Sequence, residues 1–212
     1  MSAHAVRRAT PLRRPVSEFQ VLHVCVGNLC RSVLAERLMR HGIATRLGAQ
    51  ADCFAVTSAG TRARVGLPMH PDVSALLAER GVAVAGFRTR CLEPDMAASA
   101  DLVLAATAVE RDAVVALAPG ALRTTFTLKE FARLARHVRV PGPVGGPVEW
   151  ARRVVDGALA LRGQLGYVGP GGDDLADPTE GRYGFADCAD EVAAALNAVL
   201  DRLCATALAP GA

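Results

Sequence analysis

Gln20-Val21-Leu22-His23-Val24-Cys25 runs directly into Val26-Gly27-Asn28-Leu29-Cys30-Arg31-Ser32, and this join decides the fold. Four of the first six residues are apolar and two of those, Val21 and Val24, are β-branched, which predicts a short strand. A turn follows. An amphipathic helix is then expected from about Ser32 to Leu47, with Leu34 and Leu38 on one face and Glu36, Arg37 and Arg40 elsewhere. A loop between a strand and a helix can present its backbone N–H groups inward. Gly27 permits positive φ and close approach; Asn28 also tolerates left-handed geometry and can hydrogen-bond within the loop. Loop N–H groups and the helix dipole then converge on one point, which makes an anion site. Arg31 adds a planar, two-pronged donor suited to phosphate oxygens. The same positive field favours the thiolate form of Cys25, and Ser32 is placed to hydrogen-bond that sulfur. Cys25 is therefore the candidate nucleophile, and Val26, Gly27, Asn28, Leu29, Cys30, Arg31 and Ser32 are the candidate phosphate-binding residues.

Outward from this join, strands are expected at Phe54–Ser58, Asp101–Ala105 and Leu122–Phe126. Helices are expected at Pro71–Arg80, where Pro71 suits the first turn and Gly81 the stop, and at Ala108–Leu117, Leu128–Arg136, Val148–Leu165 and Phe185–Leu208. Alternating strands and helices imply right-handed βαβ units. The expected fold class is α/β: a three-layer, flavodoxin-like, four-stranded parallel sheet with helices on both faces. Ligands bind such sheets beyond the carboxyl ends of the strands. Val138–Pro147 holds three prolines and three glycines and predicts a loop. Residues 1–17, with Arg7, Arg8, Arg13 and Arg14 broken by Pro11 and Pro15, predict a disordered basic tail. Residues 18–208 are expected to form a single domain with an extended 129–173 region.

Composition narrows the class. Apolar residues make up 51% of the chain and aromatics only 4%, so the core must be built mainly from Ala, Val and Leu. A net charge of +3, evenly spread, gives no basic stripe for nucleic acid. No run of about 18 strongly apolar residues is present, so no membrane span is expected. No apolar stretch follows Arg7-Arg8, so no twin-arginine export signal is expected. The six cysteines include no Cys-x-x-Cys pair and the five histidines are scattered, which argues against a zinc site. Mostly free thiols in a cytoplasmic protein, with no metal and no cofactor, are the expectation.

Val24-Cys25-Val26-Gly27-Asn28-Leu29-Cys30-Arg31-Ser32, followed by Leu34-Ala35-Glu36, resembles the signature of the low-molecular-weight protein tyrosine phosphatases. Thr57-Ser58-Ala59-Gly60-Thr61 is similar to the segment where that family supports its loop with a serine, which assigns Ser58 and Asn28 supporting roles. Arg88-Thr89-Arg90 looks like the family's basic turn, Asp101-Leu102-Val103-Leu104 like its third strand, and Asp177-Pro178 like the Asp-Pro that carries its general acid. The resemblance implies that Cys25 attacks a phosphomonoester, phosphotyrosine by family, to form a phosphocysteine. Arg31 and the loop amides would hold the phosphoryl oxygens, and Asp177 would move the protons. Asp173 and Asp174 are nearby alternatives for the acid. The family often carries a second loop cysteine, which implies that Cys30 can form a reversible disulfide with Cys25. The implied partner is a phosphorylated protein or a small phosphoester.

The chain departs from the family pattern in places. Val33 replaces a proline, and Phe87 stands where the family often has a histidine. Thr179 follows Asp177-Pro178 where an aromatic is expected, and Thr61–Val65 holds no ring to wall a phosphotyrosine. Lost stacking is worth on the order of 1 kcal/mol per wall. Arg62 and Arg64 beside the pocket favour a more anionic substrate. Two alternatives share the fold. A thiol-dependent arsenate reductase needs a resolving cysteine pair near the third strand, yet no cysteine lies between Cys91 and Cys188. A non-catalytic phosphate-binding module would explain the missing aromatics but not the joint presence of Cys25, Arg31 and Asp177.

Overall fold

The computed structural model describes residues 18–142, 144–165, 168–169, 171–180 and 183–205. The expected tail at 1–17 and the last residues of the expected final helix, 206–208, lie outside the described residues. Strand β1 (Phe19–Cys25) is nearly all buried, because Val21 and Cys25 point into one core while Leu22 and Val24 point into the other. The chain continues through α1 (Arg31–Leu47), β2 (Phe54–Gly60), α2 (Pro71–Glu79), α3 (Pro94–Ser99), β3 (Leu102–Ala105), α4 (Ala108–Leu117), β4 (Thr125–Thr127), α5 (Leu128–Ala135), α6 (Pro147–Leu161) and α7 (Phe185–Leu203).

The four strands are all parallel, in the order β2-β1-β3-β4. The chain leaves β1 in one direction to β2 and later returns to its other side through β3. The strand order therefore reverses at β1, and the crevice this opens lies beyond its carboxyl end, where Cys25 sits. One face of the sheet is covered by α1, α5, α6 and α7, with α2 against α1 and α7; its core includes Met39, Leu77, Phe131, Val154 and Leu196. The other face is covered by α3 and α4 through Ala97 and Val114. Sheet and helices thus form the expected three layers.

Element boundaries differ from the sequence reading in several places, and α7 ends at Leu203 with Cys204 as its cap rather than running on toward Leu208. β4 starts at Thr125 rather than Leu122, because Pro119–Arg123 winds into a 3₁₀ turn and Thr125 Oγ1 donates to the Ala121 carbonyl at 2.7 Å. α6 ends at Leu161 rather than Leu165. The short α3, begun by Pro94, has too few residues for a periodic signal. The 129–173 stretch is tied into the fold at both ends of α6. Arg152 reaches Asp101 at 3.1 Å, while Arg162 reaches Glu130 at 2.8 Å and lies over the Phe126 ring.

Candidate active site

The loop after β1 turns on a single left-handed residue, Asn28, at φ 54°. This is a correction to the sequence reading, which placed the special backbone at Gly27 as well. A Cβ on Gly27 would meet only the Leu29 side chain at 3.6 Å, so the loop does not need its freedom. The glycine that the loop requires is Gly60, at the end of β2. A Cβ there would lie 2.5 Å from the Val26 carbonyl oxygen and 2.8 Å from the Asn28 nitrogen.

Loop carbonyls face away from the sulfur. The Val26 oxygen accepts from the Arg62 N–H at 2.9 Å and the Leu29 oxygen from the His70 N–H at 3.0 Å. The Asn28 N–H points the other way, to Cys25 Sγ at 3.3 Å. The N–H groups of Gly27, Leu29 and Cys30 have no acceptor among the described residues. Helix α1 follows with Cys30 at its N-cap, no side-chain cap and no acidic residue in its first turn. Its first N–H groups are left for an external anion. Ser32 Oγ lies 3.0 Å from Cys25 Sγ.

Beneath the loop runs a buried hydrogen-bonded chain. Asn28 Nδ2 donates to Ser32 Oγ at 2.9 Å and to Ser58 Oγ at 2.8 Å, and its Oδ1 accepts from the Arg90 N–H at 2.9 Å. Ser58 Oγ in turn donates to Glu36 Oε2 at 2.5 Å. Glu36 is therefore an interior residue, only 3% exposed, although the sequence sets it apart from the apolar face of Leu34 and Leu38. Arg40 offsets its charge at 3.3 Å. Glu36 and Arg90 complete the support for the loop, and the sequence reading gave neither that role. Ser32 and Glu36 stand one turn apart on α1, a spacing that could have flagged Glu36.

Asp177 reaches the loop from a distant part of the chain. Its Oδ2 accepts from Arg31 Nη2 at 2.5 Å, and Arg31 Nη1 donates to the Leu175 carbonyl at 3.1 Å. The Leu175 N–H is fastened to the Ala106 carbonyl at 2.9 Å, just past β3. The two alternative acids are engaged elsewhere: Asp173 pairs with Arg133 at 2.7 Å, and Asp174 accepts from the Ala108 N–H at 2.7 Å. Burial pushes the Asp177 carboxyl upward, but two hydrogen bonds from Thr179 and the charge of Arg31 outweigh it. They hold the group below the usual carboxylate range. Burial pushes the thiols of Cys30 and Cys188 up to about 12. Thr179 donates its hydroxyl to Asp177 Oδ1 at 2.6 Å, so no ring stands at that position. On another side of the loop, His70 stacks on Phe185 with centroids 4.4 Å apart.

A family model described as low molecular weight phosphotyrosine protein phosphatase matches residues 20–160. The chain belongs to this family. Among curated members, a protein-arginine-phosphatase of Geobacillus stearothermophilus is 33% identical over 138 residues, which cover 65% of this chain and 87% of that protein. The low molecular weight protein-tyrosine-phosphatase Etp of Escherichia coli K12 is 32% identical over 123 residues, covering 58% and 76%. Among solved structures, the YwlE arginine phosphatase from Geobacillus stearothermophilus superposes with a TM-score of 0.63 at 25% identity, covering 92% of this chain and 98% of that one. That superposition spans the four-stranded α/β architecture described above. Membership makes the chain a phosphoric monoester hydrolase by class. Among the described residues, no helix is long and apolar enough to cross a membrane.

Proposed function

We propose that residues 18–205 act as one catalytic unit that removes a phosphoryl group from a protein side chain, with Cys25 as nucleophile, Arg31 as phosphate clamp and Asp177 as proton carrier. One observation supports this most: a single sulfur lies within reach of Ser32 and of an inward loop N–H, while Arg31 brings Asp177 alongside. The thiolate of Cys25 attacks phosphorus, the bond from phosphorus to the leaving oxygen breaks, and Asp177 gives that oxygen its proton. Water then attacks the phosphocysteine, Asp177 takes a proton from it, and phosphate leaves with the thiolate restored. The N–H groups of loop residues 26–32 and the Arg31 guanidinium stabilise the equatorial oxygens. Asn28 and Ser58 hold the loop in shape.

The Arg31–Asp177 contact sets the order of events. Against the upward push of burial, the two Thr179 hydrogen bonds and then the Arg31 charge hold Asp177 ionised. A phosphate dianion on Arg31 cancels that charge and adds its own, which drives the Asp177 carboxyl upward and makes it an acid when a substrate is present. The test uses para-nitrophenyl phosphate. The parent protein is expected to turn it over and to lose activity in proportion to alkylation of Cys25 at neutral pH, followed by peptide mapping, while burial keeps Cys30 and Cys188 protonated and slow to react. Cys25→Ser should be inactive. Full turnover by Cys25→Ser would remove Cys25 from the mechanism.

By family, the substrate is phosphotyrosine. Phosphoarginine is the second reading, favoured by Thr179 standing where a ring would wall a phosphotyrosine. The ratio of kcat/KM on matched phosphotyrosine and phosphoarginine peptides decides between them.

A further inference from the structure

We infer that the pole of the molecule opposite Cys25 carries a second anion site, suited to a small, multiply charged phosphate compound with a planar ring. α5 begins at the carboxyl end of β4 and α7 begins beside the loop, where Phe185 stacks on His70. Both helices run back along the sheet, so their last turns lie at the far pole. A cavity of about 520 Å³ opens there, lined by Arg136, His137, Arg139, Trp150 and Arg202 together with two valines.

Its charge is unusual for this protein. Other arginines of the 129–173 region are paired: Arg133 with Asp173, Arg153 with Glu149, and Arg162 with Glu130. No acidic residue lines this cavity. The side chains of Arg136 and Arg139 have no hydrogen-bond or ion-pair partner among the described residues, and both are exposed. Arg202 donates one terminal nitrogen to the Val138 carbonyl, but its Nε is buried without a partner. Cations near helix carboxyl ends are ordinarily explained by the helix dipole. That accounts for part of Arg136 and Arg202. It does not account for Arg139, which lies outside any helix, and two helix ends supply only about half a negative charge each against three guanidinium groups. The surplus is positive and faces a cavity.

The size and the remaining wall define the ligand class. Sites for small molecules occupy roughly 300–1,000 Å³, and a lone inorganic phosphate would fill little of this one. Trp150, the single tryptophan of the chain, lines the cavity and is fixed by its indole N–H, which donates to the Arg202 carbonyl at 2.6 Å. It offers a flat surface beside the guanidinium groups, so a nucleoside polyphosphate fits both features. Because Trp150 is unique, its emission reports on this cavity directly.

The experiment titrates adenosine triphosphate, with inorganic tripolyphosphate as a ring-free companion, against tryptophan emission in low salt. A saturable change is expected in the parent and, with the same Kd, in Arg31→Ala, whose catalytic loop is disabled. Arg136→Ala/Arg139→Ala should weaken binding about tenfold or more, and Arg139→Lys should recover part of the loss. Arg139→Ala alone alters only an exposed side chain and serves if the double variant does not fold. The proposal is overturned if neither probe gives a saturable change. It is equally overturned if the arginine variants bind as tightly as the parent, or if Arg31→Ala abolishes the response.

Discussion

Gly60→Ala adds one methyl group at the point where β2 passes beneath the catalytic loop. Gly60 does not sit in the left-handed region, so alanine meets no backbone strain there. By unfolded-state entropy alone, the change should stabilise the protein by about 0.4–1 kcal/mol. Sterics reverse that. The new Cβ would lie 2.5 Å from the Val26 oxygen, 2.8 Å from the Asn28 nitrogen and 2.9 Å from Ala63 Cβ. The first two are main-chain atoms of the loop itself, and they cannot rotate away. To reach ordinary contact at 3.4 Å the Val26 carbonyl must retreat by about 0.9 Å. A displacement of about 1 Å in a catalytic group costs on the order of 10²-fold in rate. The loop also loses a good geometry for the Asn28 N–H to Cys25 Sγ bond, now 3.3 Å. The expected outcome is a kcat on para-nitrophenyl phosphate about 10²-fold lower, with a melting temperature within a few degrees of the parent. Both are read on the same preparation. A variant that folds and turns over at the parent rate would show that the loop is not held by its contact with β2.

Three further outcomes test other parts of the site. Asn28→Ala forfeits three side-chain hydrogen bonds and places alanine at φ 54°, which alone costs about 1–2 kcal/mol. Asn28→Gly keeps the backbone and loses only the bonds, so chemical denaturation should rank the parent above Gly and Gly above Ala; equal stability of all three would contradict the network. Asp177→Asn should lower kcat by about 10²–10³-fold on an alkyl phosphate and much less on para-nitrophenyl phosphate, whose leaving group needs little protonation; an equal loss on both would remove Asp177 from proton transfer. Burial pushes His23 from 6.5 down to about 3, so its neutral form is the folded one. Stability is then complete above pH 6.5 and falls as the unfolded chain takes up a proton, by about 2 kcal/mol at pH 5. Urea titrations at pH 7.5 and 5 should show this increment, and His23→Leu should lack it.

The network around Cys25 explains why some residues escaped the sequence reading. Cys25, Arg31 and Ser32 are local: strand, turn and helix follow one another, and the chemistry of an anion site is contained in that order. Glu36 is only four residues further on, yet its burial depends on Ser58, which arrives from β2. Arg90 acts through its main-chain N–H, a donor every residue but proline has. No residue type advertises that role. Asp177 was readable only as Asp-Pro, with Asp173 and Asp174 as rivals; Arg133 and the Ala108 N–H engage those two and leave Asp177 on Arg31.

What the sequence determined by itself was periodicity and local order: alternating strands and helices, a parallel sheet, and a thiol at the end of the first strand ahead of a helix N-terminus. These follow from interactions within a few residues. Tertiary structure decided which glycine the loop needs, which carboxylate meets Arg31, and that unpaired arginines gather around Trp150 at the far pole. Each of those depends on segments that sequence separates by tens of residues and that only the packing of helices on the sheet brings within a few ångströms.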